Sequence, residues 1–288
     1  MKAIAIPHTK GSVHVAQSNP QTILITGAST GIGYDAAKQL GQMGMHVIAG
    51  ARKDSDIERL NALDNVTGIR LDVTKQEDRD EAIKHIEALG NGLDVLINNA
   101  GIAVGAPIMD VSGDDLRWQF EVNVFCLVEL TQACFPFLLK NKGRVINISS
   151  MAGRMVMPFM APYAMSKFAV EAFTDGLRRE LRPFGLKVVA IQPGPIKTAI
   201  WDKTDPETLQ YAGSPFEDRA RRAGKMLIKA GQEQSLPVET VTRVIKHAIT
   251  SRSPKTRYIV TKGKWFRLFL NSLPDKWIDA VLTRIFPE

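Results

Sequence analysis

The sequence predicts one α/β domain built on a doubly wound parallel sheet of about seven strands. Short apolar runs alternate with helix-length periodic stretches from residue 22 to residue 260. The runs are apolar at nearly every position, which indicates strands that are buried on both faces, as the strands of parallel sheets are. Polar and glycine-rich motifs follow the runs directly, at the sheet edge where ligands bind in such folds.

The runs and the periodic stretches predict each element in turn. Strands are predicted at residues 22–26, 46–51, 66–71, 93–97, 143–149, 186–192 and 257–260. Helices are predicted at about residues 31–43, 55–63, 75–89, 113–140, 162–182 and 238–250. Residues 1–20 are interpreted as an N-terminal arm and residues 21–288 as a single domain. Within that domain, residues 200–235 are interpreted as a substrate lid and residues 263–286 as an amphipathic segment.

Composition limits the kinds of protein this chain can be. Its 288 residues include 44% hydrophobic and 23% charged residues, a mix typical of soluble globular proteins. No uninterrupted apolar run reaches 18 residues, so no membrane-spanning helix is expected. The two cysteines, Cys126 and Cys134, fall on one predicted helix without metal-binding spacing, which suits a reducing, cytoplasmic compartment. The net charge of +7 lacks an interleaved aromatic and basic stripe, so no nucleic-acid partner is predicted.

The strongest chemical signal is the pair Tyr163 and Lys167, with Ser150 upstream. Four-residue spacing places the pair on one helix face. A nearby ammonium favours the phenolate and lowers the tyrosine pKa from about 10. The tyrosine can then exchange a proton with an alcohol near neutral pH. Ser150 follows a predicted buried strand, from where its hydroxyl can hold a substrate oxygen. Because the Tyr-x-x-x-Lys pattern is short and common, unrelated packing and surface roles are the alternative.

A glycine-rich turn follows the first predicted strand. Glycines permit a tight turn, and the next helix N-terminus offers unpaired N–H groups to a pyrophosphate. A plain strand-to-helix turn is the alternative, but the position between the first strand and the first helix favours cofactor binding. The candidate residues are Gly27, Ser29, Thr30, Gly31, Ile32 and Gly33.

The end of the second predicted strand favours NADP over NAD. Ala51 stands where NAD-selective sites usually carry an acidic residue for the ribose 2′-hydroxyl, and Arg52 follows it. A guanidinium can bind a 2′-phosphate through two hydrogen bonds, while a solvated loop charge is the alternative for Arg52. After the third strand, Asp72 and Val73 are candidates to hold the adenine. A helix N-cap is the competing role for Asp72.

Together these motifs resemble the short-chain dehydrogenase/reductase family. The resemblance implies a Rossmann-type fold, an NAD(P)-dependent alcohol dehydrogenase or carbonyl reductase, and a homodimer or homotetramer formed through the two longest helices. Some NADP-dependent members carry a basic residue just before the second glycine, where this chain has Thr30, so the NADP prediction rests mainly on Arg52. The matching motifs, in the family's order over about residues 21–200, are TGASTGIG at 26–33, Asp72, NNAG at 98–101, Asn123, Ser150, YAMSK at 163–167 and PG at 193–194.

The resemblance also implies a catalytic tetrad of Asn123, Ser150, Tyr163 and Lys167. Tyr163 is implied to be the general acid and base, and Ser150 to orient and polarise the substrate oxygen. Lys167 is implied to lower the tyrosine pKa and to hold the nicotinamide ribose. Asn123 is implied to organise a water that continues a proton relay from Lys167. Capping or kinking the long helix is the alternative role for Asn123.

Further cofactor contacts are implied after the fourth and sixth strands. Asn99, Ala100 and Gly101 are expected beneath the adenosine ribose, while Asn98 is expected to be structural. The residues expected to wall the nicotinamide are Pro193, Gly194, Ile196 and Thr198.

An apolar stretch beside the tetrad favours a bulky lipophilic alcohol or ketone, although methionine is also a common core filler. Residues 151–185 are most similar to the retinol- and steroid-dehydrogenase branches of the family, which implies a steroid- or retinoid-like substrate. A reductase of small polar carbonyls and a non-catalytic NADP-binding regulator are the alternatives. The apolar residues are Met151, Met155, Met157, Phe159 and Met160, taken together with Trp201.

Aromatic and basic residues alternate in the C-terminal segment from Lys264 to Phe286. Such a segment can lie in a membrane interface, which makes peripheral membrane contact one interpretation. Packing on the substrate face of the domain or on a neighbouring subunit is the favoured interpretation.

Overall fold

The structure, a computed structural model, describes residues 20–198 and 213–286 and contains one seven-stranded sheet in which every neighbouring pair of strands is parallel. The strand order is β3-β2-β1-β4-β5-β6-β7. The predicted doubly wound parallel sheet is therefore confirmed, and predicted strand ends differ from the observed ones by at most two residues. The strands are β1 (Thr22–Ile25), β2 (His46–Ala51), β3 (Val66–Arg70), β4 (Val95–Asn98), β5 (Arg144–Ile148), β6 (Lys187–Pro193) and β7 (Arg257–Val260).

Helices cover both faces of this sheet. Short 3₁₀ turns at Met151–Gly153 and Arg182–Phe184 flank the sixth helix. The helices are α1 (Gly31–Gln42), α2 (Asp54–Asn61), α3 (Gln76–Leu89), α4 (Gly113–Phe120), α5 (Cys126–Lys140), α6 (Ala161–Leu181), α7 (Glu217–Gln234), α8 (Val238–Thr250), α9 (Lys264–Leu270) and α10 (Asp275–Ile285).

Two apolar cores lie on opposite sides of the sheet. In β1, Ile23 and Ile25 point into the core shared with α1, α2 and α8, while Leu24 points into the core shared with α3, α5 and α6. All three side chains are completely buried. Because successive strand residues face opposite cores, every position must be apolar, which is why the strands are readable in the sequence.

The predicted helix at residues 113–140 is interrupted. A π-helical turn, Glu121–Phe125, separates α4 from α5, and Cys126 N donates to Glu121 O across it. The side chain of Asn123, inside this turn, is drawn to the main chain of Ile102, where its amide accepts and donates hydrogen bonds. That tertiary contact is the physical reason for the interruption.

The same stretch is the one candidate membrane span by length and composition within the described residues. Leu130, Cys134 and Leu138 are completely buried in the core beside the sheet. It is therefore packed as a core helix of the domain.

Three helices were not predicted from the sequence. Helix α7 lies in the segment interpreted as a polar lid, and α9 and α10 lie in the segment interpreted only as amphipathic. The N-terminal arm up to residue 19 and Trp201 fall outside the described residues.

Candidate active site

The candidate residues lie along one edge of the sheet, after the carboxyl ends of β1 to β6. At this edge the glycine loop following β1 is tied to the loop following β4. The Thr26 hydroxyl accepts hydrogen bonds from Asn99 N at 3.0 Å and from Ala100 N at 2.9 Å. In return, Asn99 Nδ2 donates to Thr26 O at 2.9 Å and to Gly27 O at 3.0 Å. These four hydrogen bonds fix the glycine loop against the loop following β4 at the edge of the sheet.

The glycine loop has the shape that a pyrophosphate needs. Gly27 has a φ of +64°, and a Cβ on it would lie 2.9 Å from Ala100 Cα. A Cβ on Gly33 would lie 2.4 Å from Gly27 O. Thr30 is the N-cap of α1 and its side chain makes no capping hydrogen bond, so the first-turn N–H groups remain available to an anion. The loop therefore fits the phosphates of a dinucleotide.

The end of β2 is rich in positive charge. Arg52 and Lys53 are exposed, and no ion pair with either is found among the described residues. Two further guanidiniums approach this corner, each paired with an aspartate. Arg59 donates to Ser29 O of the glycine loop and pairs with Asp56 at 2.7 Å. Arg70 donates to Arg52 O at 3.0 Å and pairs with Asp54. The two unpaired cations suit an additional phosphate.

Asp72, after β3, is partly buried and folds back on its own turn. Its Oδ1 accepts from Thr74 N at 3.1 Å and from Thr74 Oγ1 at 2.8 Å. The N-cap of α3 is Lys75, so Asp72 does not cap that helix. Val73 is buried, and its carbonyl accepts from Arg79 Nη1 at 2.6 Å. The turn is thereby held at the edge where an adenine is expected.

The four tetrad candidates come together where β5 ends. Lys167 Nζ donates to Ile148 O at 3.0 Å and lies 5.8 Å from the centre of the Tyr163 ring. The Ser150 hydroxyl accepts from Ala152 N at 3.1 Å and lies close enough to the Tyr163 phenol to lower its pKa. A Cβ on Gly101 would lie 3.2 Å from Asn123 Oδ1 and 3.7 Å from Lys167 Nζ. Gly101 thus leaves room for Asn123 and Lys167 to approach the same point.

Ser166 links Asn123 to the tyrosine. Asn123 Nδ2 donates to Ser166 Oγ at 3.0 Å, and Ser166 Oγ donates to Tyr163 O at 2.7 Å. The Asn123 amide also makes both hydrogen bonds to Ile102 described above. Its side chain is therefore engaged in holding the site together, and any water that Asn123 organises would have to use its main chain.

Burial governs the proton affinities of the pair. Burial raises the pKa of Tyr163, and the Ser150 hydroxyl acts in the opposite direction. Burial also lowers the pKa of Lys167 to about 8, against the charge of Glu171. The sequence predicts that Lys167 lowers the tyrosine pKa, but desolvation is the larger effect on Tyr163. At neutral pH this tyrosine is therefore a protonated donor, and the lysine charge is lost as the pH rises through about 8.

The segment after β6 closes the other side of the crevice. A Cβ on Gly31 would lie 3.0 Å from Thr198 Cγ2, so Thr198 reaches the glycine loop. Gly194 N donates to Val260 O at 2.9 Å, and Pro193 ends β6. Ile196 is 4% exposed and its side chain packs in the core, so it does not wall the crevice as predicted.

An open apolar cavity of about 370 Å³ is lined by residues 107–109, by residues 156–161 and by side chains of the C-terminal half of the domain. Its lining residue Ala161 lies two residues before Tyr163 in the sequence, the tetrad side chains themselves do not line it, and Asp279 is its one charged lining residue among those described. Phe159 has a φ of +63°, and its carbonyl accepts from Ala106 N at 2.8 Å, which turns the wall toward the loop at residues 105–111. The apolar lining residues are Pro107, Ile108, Met109, Val156, Met157, Pro158, Phe159, Ala161, Phe216 and Leu282.

Comparison with known proteins agrees with this geometry. The family model for short chain dehydrogenases matches residues 21–208. This chain belongs to the short-chain dehydrogenase family. It is 36% identical over 265 residues to the Escherichia coli K12 oxidoreductase YbbO, covering 91% of this chain and 94% of that one. It is 34% identical over 286 residues to human Retinol dehydrogenase 16, covering 92% and 89% of the two chains.

Two further relatives extend the comparison. An NADPH-dependent 3-dehydrocapnine reductase from Ornithobacterium rhinotracheale is 37% identical over 276 residues, with 90% of this chain and 94% of that one covered. A solved short-chain dehydrogenase from Streptomyces avermitilis superposes with a TM-score of 0.77 at 27% identity, covering 92% and 96% of the two chains. The predicted family, its retinol- and steroid-dehydrogenase-like branch, the fold and the oxidoreductase class are confirmed.

Sequence reasoning missed several residues that shape this dehydrogenase site. Ser166 and Thr26 lie inside the motifs that match the family, but the sequence does not show which groups their hydroxyls bond. Gln119 is completely buried and bonds Val104 N and Ile102 O from α4. Asn98 is structural, as predicted, because its Nδ2 donates to Thr131 Oγ1 and Asn147 Oδ1. Of the predicted apolar stretch, Met157 and Phe159 line the cavity and Met151, Met155 and Met160 do not.

Proposed function

We propose that the protein is an NADP-dependent oxidoreductase that transfers a hydride between nicotinamide and a lipophilic alcohol or ketone of steroid-like or retinoid-like size. The apolar cavity that Ala161 lines, two residues before Tyr163 in the sequence, carries this proposal. Its volume of about 370 Å³ falls within the range of pockets for ligands of that size. The names of two relatives, a retinol dehydrogenase and a 17-beta-hydroxysteroid dehydrogenase, support the same substrate class.

Four residues of this chain carry the proposed proton transfer. The nicotinamide, when bound, supplies or accepts the hydride at the substrate carbon. In reduction, the Tyr163 phenol gives its proton to the substrate oxygen, which the Ser150 hydroxyl holds. The Lys167 ammonium stabilises the phenolate that remains. We propose that the main chain of Asn123 holds the water that returns a proton by way of Lys167.

The cofactor is proposed to lie across the sheet edge, between the glycine loop and the tetrad. Support for NADP comes from the unpaired charges of Arg52 and Lys53 and from the NADPH-dependent relative. The residues proposed to hold it are Gly27, Ser29, Thr30, Gly31, Ile32, Gly33, Arg52, Asp72, Val73, Asn99, Ala100, Gly101, Tyr163, Lys167, Pro193, Gly194 and Thr198, with Ile196 limited to its main chain.

The test of the substrate class compares ketones and alcohols of increasing size. NADPH oxidation and NADP reduction are followed with steroids, retinoids and small polar carbonyls. We expect kcat/KM to rise with each buried methylene by about tenfold or more, because the cavity is apolar. Met157→Gln should lower kcat/KM about tenfold for lipophilic substrates alone. Met43→Gln, at an exposed position after α1 and outside the cavity, is the control. Turnover of small polar carbonyls alone would rule out the lipophilic substrate.

Part of the predicted lid covers the cavity. Phe216 lines it, and Ala220 packs with Ala106 and Phe159 at the start of α7. We propose that α7 belongs to the segment that closes over the substrate. Residues 199–212 of the predicted lid lie outside the described residues.

We propose a homodimer or homotetramer whose interface uses the helices around the π-helical turn. Trp118 and Phe125 are 45% and 51% exposed there, and Met165 and Phe168 on α6 are 43% and 42% exposed. Exposed apolar side chains on adjacent helices are typical of subunit contacts. Sedimentation equilibrium measures the subunit number directly.

We propose a cytoplasmic protein whose C-terminal helices contact a membrane surface. The two free, buried cysteines suit a reducing compartment. Trp265, Phe266 and Phe269 on α9 are 60% to 78% exposed and Trp277 on α10 is 65% exposed, so these rings do not pack on their own domain, and a membrane surface or a neighbouring subunit is left to cover them. Basic residues stand beside them, and α10 also lines the cavity through Leu282. A lipophilic substrate would then enter from the membrane side.

The membrane contact predicts vesicle binding that depends on those rings. Trp265→Ser combined with Phe269→Ser should reduce co-sedimentation with anionic vesicles at least tenfold, because each exposed ring contributes about 1.5–3 kcal/mol when buried. Met43→Ser, which removes an exposed apolar side chain after α1, is the control. Equal sedimentation of the double variant and the parent would exclude this contact.

A further inference from the structure

Glu171 is a buried carboxylate that the proposed mechanism does not use. It lies one helical turn after Lys167 on α6 and is 7% exposed. Its Oε2 accepts a hydrogen bond from Arg257 Nε on β7 at 2.8 Å. Its Oε1 is buried and has no hydrogen-bond partner among the described residues. A buried charge that is only partly paired is costly, so this carboxylate requires a reason to be charged there.

Two other buried polar atoms without partners in the described part of the chain lie nearby. They are Ser149 Oγ, just after β5, and Gln192 Nε2 on the neighbouring β6. Ser149 N donates to Ile191 O at 2.8 Å, which places Ser149 beside Gln192. A Cβ on Gly153 would lie 3.0 Å from Glu171 Cγ and 3.1 Å from Ser149 Oγ. The side chains therefore meet in a polar pocket beneath the tetrad, which is suited to a charge rather than to apolar packing.

Charged groups approach this pocket from three elements. Arg257 on β7 contacts Glu171 and also Asp175, with 2.9 Å between Arg257 Nη2 and Asp175 Oδ1. Arg154, after the 3₁₀ turn, donates to Gln192 Oε1 at 3.5 Å. Asp175 lies one turn beyond Glu171, on the side away from the active site. Glu171 is therefore the carboxylate of this network that stands next to the active-site lysine.

Lys167 is in need of such a partner. It is 6% exposed, and its Nζ donates a hydrogen bond to the main-chain carbonyl of Ile148, which carries no net charge. Burial lowers the pKa of Lys167, and the Glu171 charge opposes that shift. Tyr163 lies on the other side of the lysine, with its ring centre 5.8 Å from Nζ.

We propose that Glu171 is a positioning residue: it is the buried counter-charge that keeps Lys167 in its ammonium form, and through Lys167 it sets the proton affinity of Tyr163. Arg257 holds the carboxylate in place, and the four-residue spacing on α6 directs it to the lysine. An ammonium favours the neighbouring phenolate, so removing the counter-charge makes the tyrosine harder to ionise. The proposal rests on the proposed function, in which Tyr163 transfers the proton.

The test compares two carboxylates that share Arg257. Glu171→Gln keeps the shape of the side chain and removes its charge. Asp175→Asn removes the other carboxylate, one turn further from Lys167, and is the matched control. Lys167 ionisation is titrated by carbon NMR of its Cε, identified as the signal that the Lys167→Gln protein lacks, and kcat/KM for alcohol oxidation is measured against pH. Glu171→Gln should lower the pKa of Lys167 by about one unit. It should therefore lower kcat/KM about fivefold at pH 8, where the parent lysine is about half charged. Asp175→Asn should stay within about twofold of the parent.

The outcomes separate this proposal from the proposed function. Coincident titrations of Glu171→Gln and the parent would overturn the role of Glu171. If thermal denaturation shows that Glu171→Gln does not fold, Glu171→Asp takes its place, because it keeps the charge and withdraws it by one methylene. A smaller shift in the same direction then supports the proposal, and no shift overturns it. Retained turnover in Tyr163→Phe would contradict the proposed function instead, and the lysine titration alone would still decide the role of Glu171.

Discussion

Replacing Tyr163 by phenylalanine is expected to lower kcat about 10²–10⁴-fold while leaving cofactor affinity within about twofold of the parent. The change removes one hydroxyl group and keeps the ring that faces Lys167 at 5.8 Å. The glycine loop and its four hydrogen bonds with Asn99 and Ala100 are untouched. Turnover is measured with the best substrate from the ketone and alcohol series, and NADPH affinity by its fluorescence on binding.

Tyr258→Phe provides the matched control for that experiment. Its hydroxyl accepts from Lys255 N at 3.0 Å, and its ring packs against His247 with 5.8 Å between centroids. It lies on β7, outside the tetrad, so turnover should not change. A Tyr163→Phe protein with parental turnover would show that another group transfers the proton. A loss of turnover together with a loss of NADPH binding would show that the Tyr163 hydroxyl, and not only its ring, is needed to hold the cofactor.

Replacing Arg52 by alanine is expected to weaken NADP binding about 10- to 100-fold and to leave NAD binding unchanged. A hydrogen bond to a charged group contributes about 1.5–3 kcal/mol, and a 2′-phosphate is the group that distinguishes the two cofactors. The side chain of Arg52 is exposed at the end of β2, and the neighbouring guanidiniums of Arg59 and Arg70 are already paired with aspartates. Calorimetric binding of 2′,5′-ADP and 5′-AMP isolates the phosphate from any effect on catalysis.

The control for this prediction is Arg182→Ala. It makes the same change in a net charge of +7, but Arg182 is exposed in the 3₁₀ turn before β6, at the opposite edge of the sheet. It should bind both nucleotides like the parent. Equal affinity of the parent for 2′,5′-ADP and 5′-AMP would contradict the NADP preference itself. A preference that survives Arg52→Ala would move the role to Lys53 or Arg59.

The fold was predictable because its elements have local signatures. Strands buried on both faces are apolar at nearly every position, as Ile23 to Ile25 of β1 show, and the chain alternates them with amphipathic helices. The glycine loop was readable because Gly27 and Gly33 are required by backbone geometry, where any Cβ would collide. The tetrad was readable through Tyr163 and Lys167, since four residues make one helical turn.

Contacts between distant segments were not predictable in the same way. The cavity is lined from residues 107–109, 156–161, 216 and 282, so its shape depends on how four separate segments dock. The π-helical turn follows from the hydrogen bonds of Asn123 to Ile102, twenty-one residues away. The pairing of Glu171 with Arg257 joins residues eighty-six positions apart. None of these leaves a periodic trace in the sequence.

The proton affinities of Tyr163 and Lys167 show most clearly which properties are local in the sequence and which depend on tertiary packing. The sequence by itself predicted Tyr163 and Lys167 as the groups that exchange protons, because their spacing on one helix face is a local property. It also determined the parallel sheet, through the alternation of apolar runs with periodic helical stretches, and the glycine loop, through the spacing of its glycines. The tertiary structure alone decided how strongly each group holds its proton. Burial sets the cost of charge on Tyr163 and Lys167, and the position of Glu171 offsets that cost for the lysine. Desolvation depends on everything packed around a group, and only the folded chain brings those neighbours together.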